Sequence, residues 1–247
     1  IINNHPNGTN INENCGSTHL DMLKKFVKDN KLSLGVAYDG DGDRCLAIDE
    51  NGEEIDGDKI MAIISNFLRK KGILRKDTIV ATVMSNLGLH KYARDNGLEL
   101  LQTKVGDRYV LEEMLKDGFN FGGEQSGHII FLDYNPTGDG ILTSLMFIKV
   151  MLEKKMKASD LCKIIKFYPQ VLVNAKIKND NKEKYNEDVE IKAKIDELEK
   201  EFADNGRILI RPSGTEPLIR VMIEGEDQNY IQTKAEELAK LIEKKLN

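Results

Sequence analysis

Apolar residues recur along this chain in two alternating rhythms, one near 3.6 residues and one near 2, and the alternation predicts an α/β layer fold. After an Asn-, Gly- and Pro-rich opening at Ile1–Asn14, Leu20, Leu23, Phe26 and Val27 share one face of a helix predicted over His19–Asp29. Strands are predicted at Ser33–Tyr38 and Cys45–Asp49, the second running into a turn at Glu50–Gly52. The clearest helix follows. Ile60, Ile63, Ile64, Phe67 and Leu68 form one stripe, with Asp56 or Asp58 as cap and Gly72 as stop. Beyond it come a strand at Thr78–Met84, a helix at Leu87–Asn96, a strand at Leu98–Thr103 and a helix after Gly106–Asp107. An apolar strand at Gly127–Leu132 and a long helix over Asp139–Lys157 complete the series, which implies a mixed or mostly parallel sheet.

The pattern changes after Pro169, and a domain boundary is expected near residues 166–171. The remainder reads as a strand (Gln170–Ile177), a charged exposed loop (Asn179–Glu190), a helix (Val189–Ala203), strands at Arg207–Arg211 and Leu218–Glu224, and a last helix over Asn229–Lys245. Ile231, Ala235, Leu238, Ala239, Ile242 and Leu246 give that helix one apolar stripe, so its charged side is a solvated face. No internal repeat or low-complexity tract interrupts the series.

Composition narrows the class. Of 247 residues, 40% are hydrophobic and 31% charged, the balance of a globular rather than a disordered chain. A net charge of −5 leaves no basic footprint for nucleic acid. No apolar run approaches the roughly 18 residues of a membrane span, and no signal peptide is evident. Cys15, Cys45 and Cys162 lack C-x-x-C spacing, which argues for a reducing, cytoplasmic setting and against disulfides or zinc. The chain opens on Ile1, without an initiator methionine, and reads as part of something longer.

Three loops carry chemistry. In Asp39-Gly40-Asp41-Gly42-Asp43-Arg44, three carboxylates alternate with glycines that let the backbone turn them to one side. Their mutual repulsion is best offset by a hard cation with oxygen ligands, Mg²⁺ above all. An EF-hand is the rival, since Asp39, Asp41, Asp43 and Glu50 fill positions 1, 3, 5 and 12 of such a loop. Arg44 stands at the position that demands Gly, and strands rather than helices flank the loop, so the EF-hand is set aside; a bland acidic turn is the other competitor.

The second loop, Gly122-Gly123-Glu124-Gln125-Ser126-Gly127-His128, places a carboxylate, an amide, a hydroxyl and an imidazole on one short turn. Alone it is a weak signal, but that inventory can bind sugar hydroxyls or an amine and move a proton. The third, Arg211-Pro212-Ser213-Gly214-Thr215-Glu216-Pro217 followed by Arg220, offers two guanidiniums, two hydroxyls and turn amides, which is what a phosphate dianion needs. A turn with incidental charges is the alternative, and Arg220 could point to either face of its strand.

In this order and spacing the loops resemble the phosphohexose mutase superfamily. The resemblance also rests on Asn10-Ile11-Asn12, Cys15-Gly16-Ser17-Thr18-His19, Val83-Met84-Ser85-Asn86-Leu87-Gly88 and Val105-Gly106-Asp107-Arg108-Tyr109-Val110, and extends through Arg211–Met222. Gln125 favours the glucosamine branch, because branches acting on glucose and mannose phosphates usually carry Met there.

The resemblance implies four domains, of which residues 1–54 would be the remnant of the second, 55–168 the α/β third and 169–247 the smaller α+β fourth. It implies Mg²⁺ held by Asp39, Asp41 and Asp43 with Arg44 close by, and a phosphosugar gripped by Glu124, Gln125 and Ser126. His128 would be a proton-transfer group or a structural histidine. Arg211, Ser213, Gly214, Thr215 and Arg220 would hold the non-reacting phosphate, with Lys104 and Arg108 as further candidates. The family's phosphorylated serine lies in a Thr-Ala-Ser-His-Asn-Pro type string that does not occur here, so the partner would be the missing N-terminal mutase domains. The implied reaction converts glucosamine 6-phosphate to glucosamine 1-phosphate through a bisphosphate. A neutral-hexose mutase and a non-catalytic sugar-phosphate-binding module are the alternatives.

Overall fold

The computed structural model describes residues 1–214 and 216–247, with the side chains of residues 179, 180, 182 and 183 left aside. Short apolar segments near the N-terminus give a helix, α1 (Asp21–Asp29), laid on a three-stranded antiparallel sheet of β1 (Leu34–Tyr38), β2 (Cys45–Asp49) and β3 (Glu54–Ile55). Leu20, Val27, Ala37, Leu46 and Ile48 form its small core. Tyr38 pairs with Cys45, so the acidic stretch at 39–44 is the hairpin loop between β1 and β2.

The predicted stripe becomes α2 (Gly57–Lys70), whose Ile60, Ile63, Ile64, Phe67 and Leu68 are all buried. Asp56 caps it, its side chain accepting from the Lys59 N–H. There follow β4 (Thr78–Thr82), α3 (Leu87–Asp95), β5 (Glu99–Thr103), α4 (Asp107–Asp117), β6 (Phe121–Gly123), β7 (Ile129–Phe131), α5 (Gly140–Lys154) and a short α6 (Ala158–Cys162). The sheet order is β5-β4-β6-β7, with β4 parallel to β5 and β6, and β7 antiparallel to β6. The chain leaves β4 for β5 on one side and returns to β6 on the other. The carboxyl ends of β4 and β6 therefore flank a topological switch point, where open α/β sheets bind ligands.

Three local differences from the sequence reading have physical causes. Gly122 and Gly123, which read as loop, lie in β6 between β4 and β7 because tertiary pairing overrides their weak strand propensity. The long helix expected to reach Lys157 stops at Lys154, where Lys155 takes a left-handed φ of 52° with no Gly to announce it. Within the expected loop at Asn179–Glu190, 3₁₀ turns span Asn179–Asn186 before Asp188 caps the next helix.

Contacts divide the chain into Ile1–Lys166 and Phe167–Asn247. The second unit is an antiparallel sheet, β8 (Gln170–Lys176), β10 (Leu218–Gly225) and β9 (Gly206–Pro212) in spatial order, with α7 (Val189–Phe202) and α8 (Gln228–Leu246). Ile219, Val221 and Ile223 meet Ile191, Leu198, Ile231, Leu238 and Ile242 in a core of its own.

Candidate metal, sugar and phosphate loops

The β1–β2 hairpin brings one carboxylate oxygen from each of Asp39, Asp41 and Asp43 within 4.8 Å of one another. Two backbone contacts fix the loop: Gly42 N–H donates to the Asp39 carbonyl (3.3 Å), and the Gly42 carbonyl accepts from Gly140 N–H at the start of α5 (2.9 Å). The Arg44 N–H donates to Asp39 Oδ1 (3.1 Å). Its guanidinium Nε stands 3.8 Å from Asp39 Oδ2 and 3.9 Å from Asp43 Oδ1, too far for a full neutralising bond to either. Asp43 Oδ1 is buried with no hydrogen-bond partner. Three converging carboxylates and one orphaned buried oxygen fit a hard divalent cation with oxygen ligands.

The Glu124–His128 loop leaves the carboxyl end of β6 and is tied to three other elements. Gly127 accepts from the Cys45 N–H at the start of β2 (3.0 Å), and an isolated bridge pairs Arg44 with His128. Glu124 Oε1 accepts from the Gly106 N–H (3.1 Å) just before α4, and the Gln125 carbonyl accepts from Gly57 N–H at the start of α2 (2.9 Å). Ser126 is exposed, Glu124 and Gln125 are half-buried, and His128 is 2% exposed. Ser126 and the free edge of Glu124 are thus presented outward.

Gln125 turns elsewhere: its side-chain amide donates to Asp56 Oδ2 (3.3 Å), the N-cap of α2. Sequence reasoning recognised Asp56 only as a cap, since its partner lies 69 residues away. Burial pushes the Asp56 carboxyl up to about 6, against the opposing pull of the Lys59 amide, the Lys59 charge and Gln125. Between the ordinary carboxylate value and about 6 the folded state holds the proton that the unfolded state has released, so stability falls as pH rises through that window. Chemical denaturation at pH 4, 5, 6 and 7 should register this fall. Asp56→Asn, which retains a capping oxygen, should flatten that decline by up to about 3 kcal/mol. An unchanged slope in Asp56→Asn would refute the assignment to Asp56.

His128 Nδ1 lies 2.9 Å from Asp43 Oδ2, and its Nε2 accepts from the Gly138 N–H at 3.1 Å. Asp107 Oδ2 stands 4.0 Å from Nε2. Lys104 and Arg108 are both exposed, and Arg108 Nε donates to Glu112 on its own helix at 2.7 Å.

In the second unit Arg211 and Arg220 are cross-strand partners on β9 and β10, so both guanidiniums stand on the same sheet face. Burial, and then the charge of Arg220, hold the Arg211 guanidinium below its usual range. Two like charges side by side favour an anion between them. Arg220 Nη2 reaches Glu216 Oε2 at 3.2 Å, Ser213 Oγ accepts from the Glu216 N–H at 3.2 Å, and Gly214 is exposed. Thr215 lies outside the described residues. Among the described residues no helix is long and apolar enough to cross a membrane.

Comparisons with known proteins agree with one another. Residues 56–168 match the family model described as phosphoglucomutase/phosphomannomutase, alpha/beta/alpha domain III, and residues 172–241 match that family's C-terminal domain. The chain is 57% identical over 247 residues to the phosphoglucosamine mutase of Ruminiclostridium cellulolyticum, and 54% identical over 246 residues to that of Clostridioides difficile. The whole chain takes part in both matches but covers 55% of each relative, so it spans about half the length of the curated relatives it matches. Among solved structures, the N-acetylphosphoglucosamine mutase of Aspergillus fumigatus, in complex with GlcNAc-6P and magnesium, shares the fold. It has a TM-score of 0.75 at 20% identity and covers 96% of this chain and 54% of its own.

Proposed function

We propose, because the chain belongs to the phosphoglucomutase/phosphomannomutase family, that it supplies the metal, sugar and phosphate loops of a phosphoglucosamine mutase. The observation that carries this reading is the convergence of Asp39, Asp41 and Asp43 within 4.8 Å in a loop joined directly to the Glu124–His128 turn. The similarity of the chain along its whole length to phosphoglucosamine mutases supports the same assignment.

The reaction interconverts glucosamine 6-phosphate and glucosamine 1-phosphate in the cytoplasm, for amino-sugar nucleotide and cell-wall precursor synthesis. Asp39, Asp41 and Asp43 would hold Mg²⁺, which when bound would supply positive charge beside a phosphoryl group. Arg44 adds a positive charge beside the triad. Glu124 and Ser126 bind sugar hydroxyls, while Gln125 shapes their turn through Asp56. Arg211, Ser213, Gly214, Thr215 and Arg220 bind the phosphate that does not react. Lys104 and Arg108, exposed after β5 and on α4, contribute to phosphate attraction rather than to a fixed bond.

Covalent transfer also needs a phosphorylated serine on the N-terminal mutase domains. Of the serines in the shared motifs, Ser17, Ser85 and Ser213 are buried, and Ser126 belongs to the Glu124–His128 loop. The chain by itself is therefore expected to give no turnover of glucosamine 6-phosphate with Mg²⁺ and a hexose 1,6-bisphosphate. Measured turnover by the purified chain would refute that division of labour. Calorimetric comparison of glucosamine 6-phosphate with glucose 6-phosphate separates the amino-sugar reading from a neutral-hexose mutase. Tighter binding of the amino sugar is expected, and a preference for glucose 6-phosphate would overturn it.

Arg211→Ala should weaken phosphosugar binding by about 10- to 100-fold, the loss of one or two charge-assisted hydrogen bonds. Arg220→Ala should cost less, because Glu216 already engages that guanidinium. Competition against inorganic phosphate tests both; an Arg211→Ala chain with undiminished affinity would remove this loop from the site.

A further inference from the structure

We propose that the tripeptide Asp56-Gly57-Asp58, the N-cap and first turn of α2, braces the Glu124–His128 loop, with Asp56 a positioning residue that acts on Glu124 through Gln125. The proposal rests on the reading of Glu124 as a sugar-binding carboxylate, while the brace itself stands on geometry alone.

A helix cap needs one side-chain oxygen, and Asp56 Oδ1 supplies it to the Lys59 N–H at 3.1 Å. The second oxygen goes elsewhere: Oδ2 accepts from the Gln125 amide at 3.3 Å. The next residue adds a backbone bond to the same partner, the Gly57 N–H donating to the Gln125 carbonyl at 2.9 Å. Gln125 is thus held by main chain and side chain together. Gly57 has no left-handed φ, so space rather than torsion calls for glycine there. A Cβ would fall 2.0 Å from the Glu124 carbonyl oxygen and 2.9 Å from the Gly127 nitrogen. Those two atoms close the turn, Gly127 N–H donating to the Glu124 carbonyl at 3.0 Å. The start of α2 is therefore seated directly against the backbone of the turn.

Asp58 serves a second loop. It is fully buried, and its Oδ2 accepts from the N–H of Asn86, the residue that caps α3, at 2.7 Å. Asn86 lies in the loop that leaves β4 and Glu124 in the loop that leaves β6, and those strands are parallel neighbours. One helix start therefore spans both loops at the switch point of the sheet. On its other side Glu124 is held through its own carboxylate, Oε1 accepting from the Gly106 N–H at 3.1 Å. Glu124 is clamped between α4, which it reaches itself, and α2, which its neighbour Gln125 reaches. Removing the Asp56 contact releases one side of that clamp while leaving Glu124 and Ser126 chemically unchanged.

Three variants of the 247-residue chain test this at pH 8, where Asp56 carries its charge. Asp56→Ser keeps a capping oxygen for the Lys59 N–H but ends one atom short of Gln125. Asp56→Asn keeps both contacts once the Gln125 amide turns over to accept. Gly57→Ala leaves Asp56 intact and pushes the turn aside. By calorimetry, affinity for glucosamine 6-phosphate should fall about 3- to 10-fold in Asp56→Ser, the loss of one hydrogen bond, and at least as far in Gly57→Ala. Asp56→Asn should stay within about twofold of wild type, and affinity for inorganic phosphate should hold in all three. Equal loss for both ligands, no loss in Asp56→Ser and Gly57→Ala, or an Asp56→Asn chain as weak as Asp56→Ser would each overturn the positioning role. Amide hydrogen exchange without ligand supplies a second readout. The Gly106 N–H, which Glu124 Oε1 holds, should exchange about threefold or more faster in Asp56→Ser, relative to the amides of β4. Unchanged exchange there would contradict the brace. Faster exchange together with a wild type that binds no glucosamine 6-phosphate would contradict the sugar-binding reading instead and leave the brace standing.

Discussion

Asp41→Asn is expected to weaken divalent-metal binding by at least about 100-fold, while leaving the metal-free chain as stable as the wild type or slightly more so. The two halves of this expectation have one cause. Asp41 is the exposed member of a triad whose oxygens lie within 4.8 Å of one another. In the absence of a cation, like charges at that separation repel, and removing one relieves the others. In the proposed metal site the lost carboxylate is a direct ligand, so the effect is expected to exceed the roughly 10- to 100-fold seen for residues that only orient ligands. Asp39 is a less clean probe, because its Oδ1 also accepts the Arg44 N–H. Thermal unfolding with and without Mn²⁺ reads both effects. A metal-dependent rise in Tm that persists in Asp41→Asn would show that the triad is not the ligand set.

Gly127→Ala is expected to destabilise the chain by roughly 2–5 kcal/mol and to loosen both the Glu124–His128 loop and the Asp39–Asp43 loop. Gly127 has φ +91°, a conformation that costs a side chain energy whatever surrounds it. In addition, a Cβ would lie 2.4 Å from the Cys45 carbonyl oxygen and 2.9 Å from its carbon, both backbone atoms of β2. Relief would require the Cys45 N–H to give up its bond to Gly127, which joins the two loops. Denaturant unfolding measures the loss directly. A change below about 1 kcal/mol would mean that the loops are not locked together at this point.

The helices were the most legible part of the fold. The stripe Ile60, Ile63, Ile64, Phe67 and Leu68 is buried as its spacing demands, and so is that of Ile231, Ala235, Leu238, Ala239, Ile242 and Leu246. Two-residue β3 and glycine-bearing β6 were not legible, because neighbouring strands rather than local propensity make them strands. The acidic loop could be read because its three aspartates are contiguous with the glycines that shape it. What the loops do to one another could not. His128 meets Asp43 and Gln125 meets Asp56 across 85 and 69 residues, and periodicity carries no information at that range. The facing of Arg220 depended likewise on strand register: its pairing with Arg211 is a property of β9 and β10 together.

That register places the two arginines of the second unit in one patch, and the first unit carries the Asp39–Asp43 and Glu124–His128 loops. The proposed function holds that the groups of each unit contribute to binding a phosphosugar. It is tested most directly by calorimetric titration of the 247-residue chain with glucosamine 6-phosphate in the presence of Mg²⁺. Saturable binding is predicted, weakened about 10-fold or more by Arg211→Ala and weakened also by Glu124→Gln. No binding, or binding indifferent to both substitutions, would contradict it.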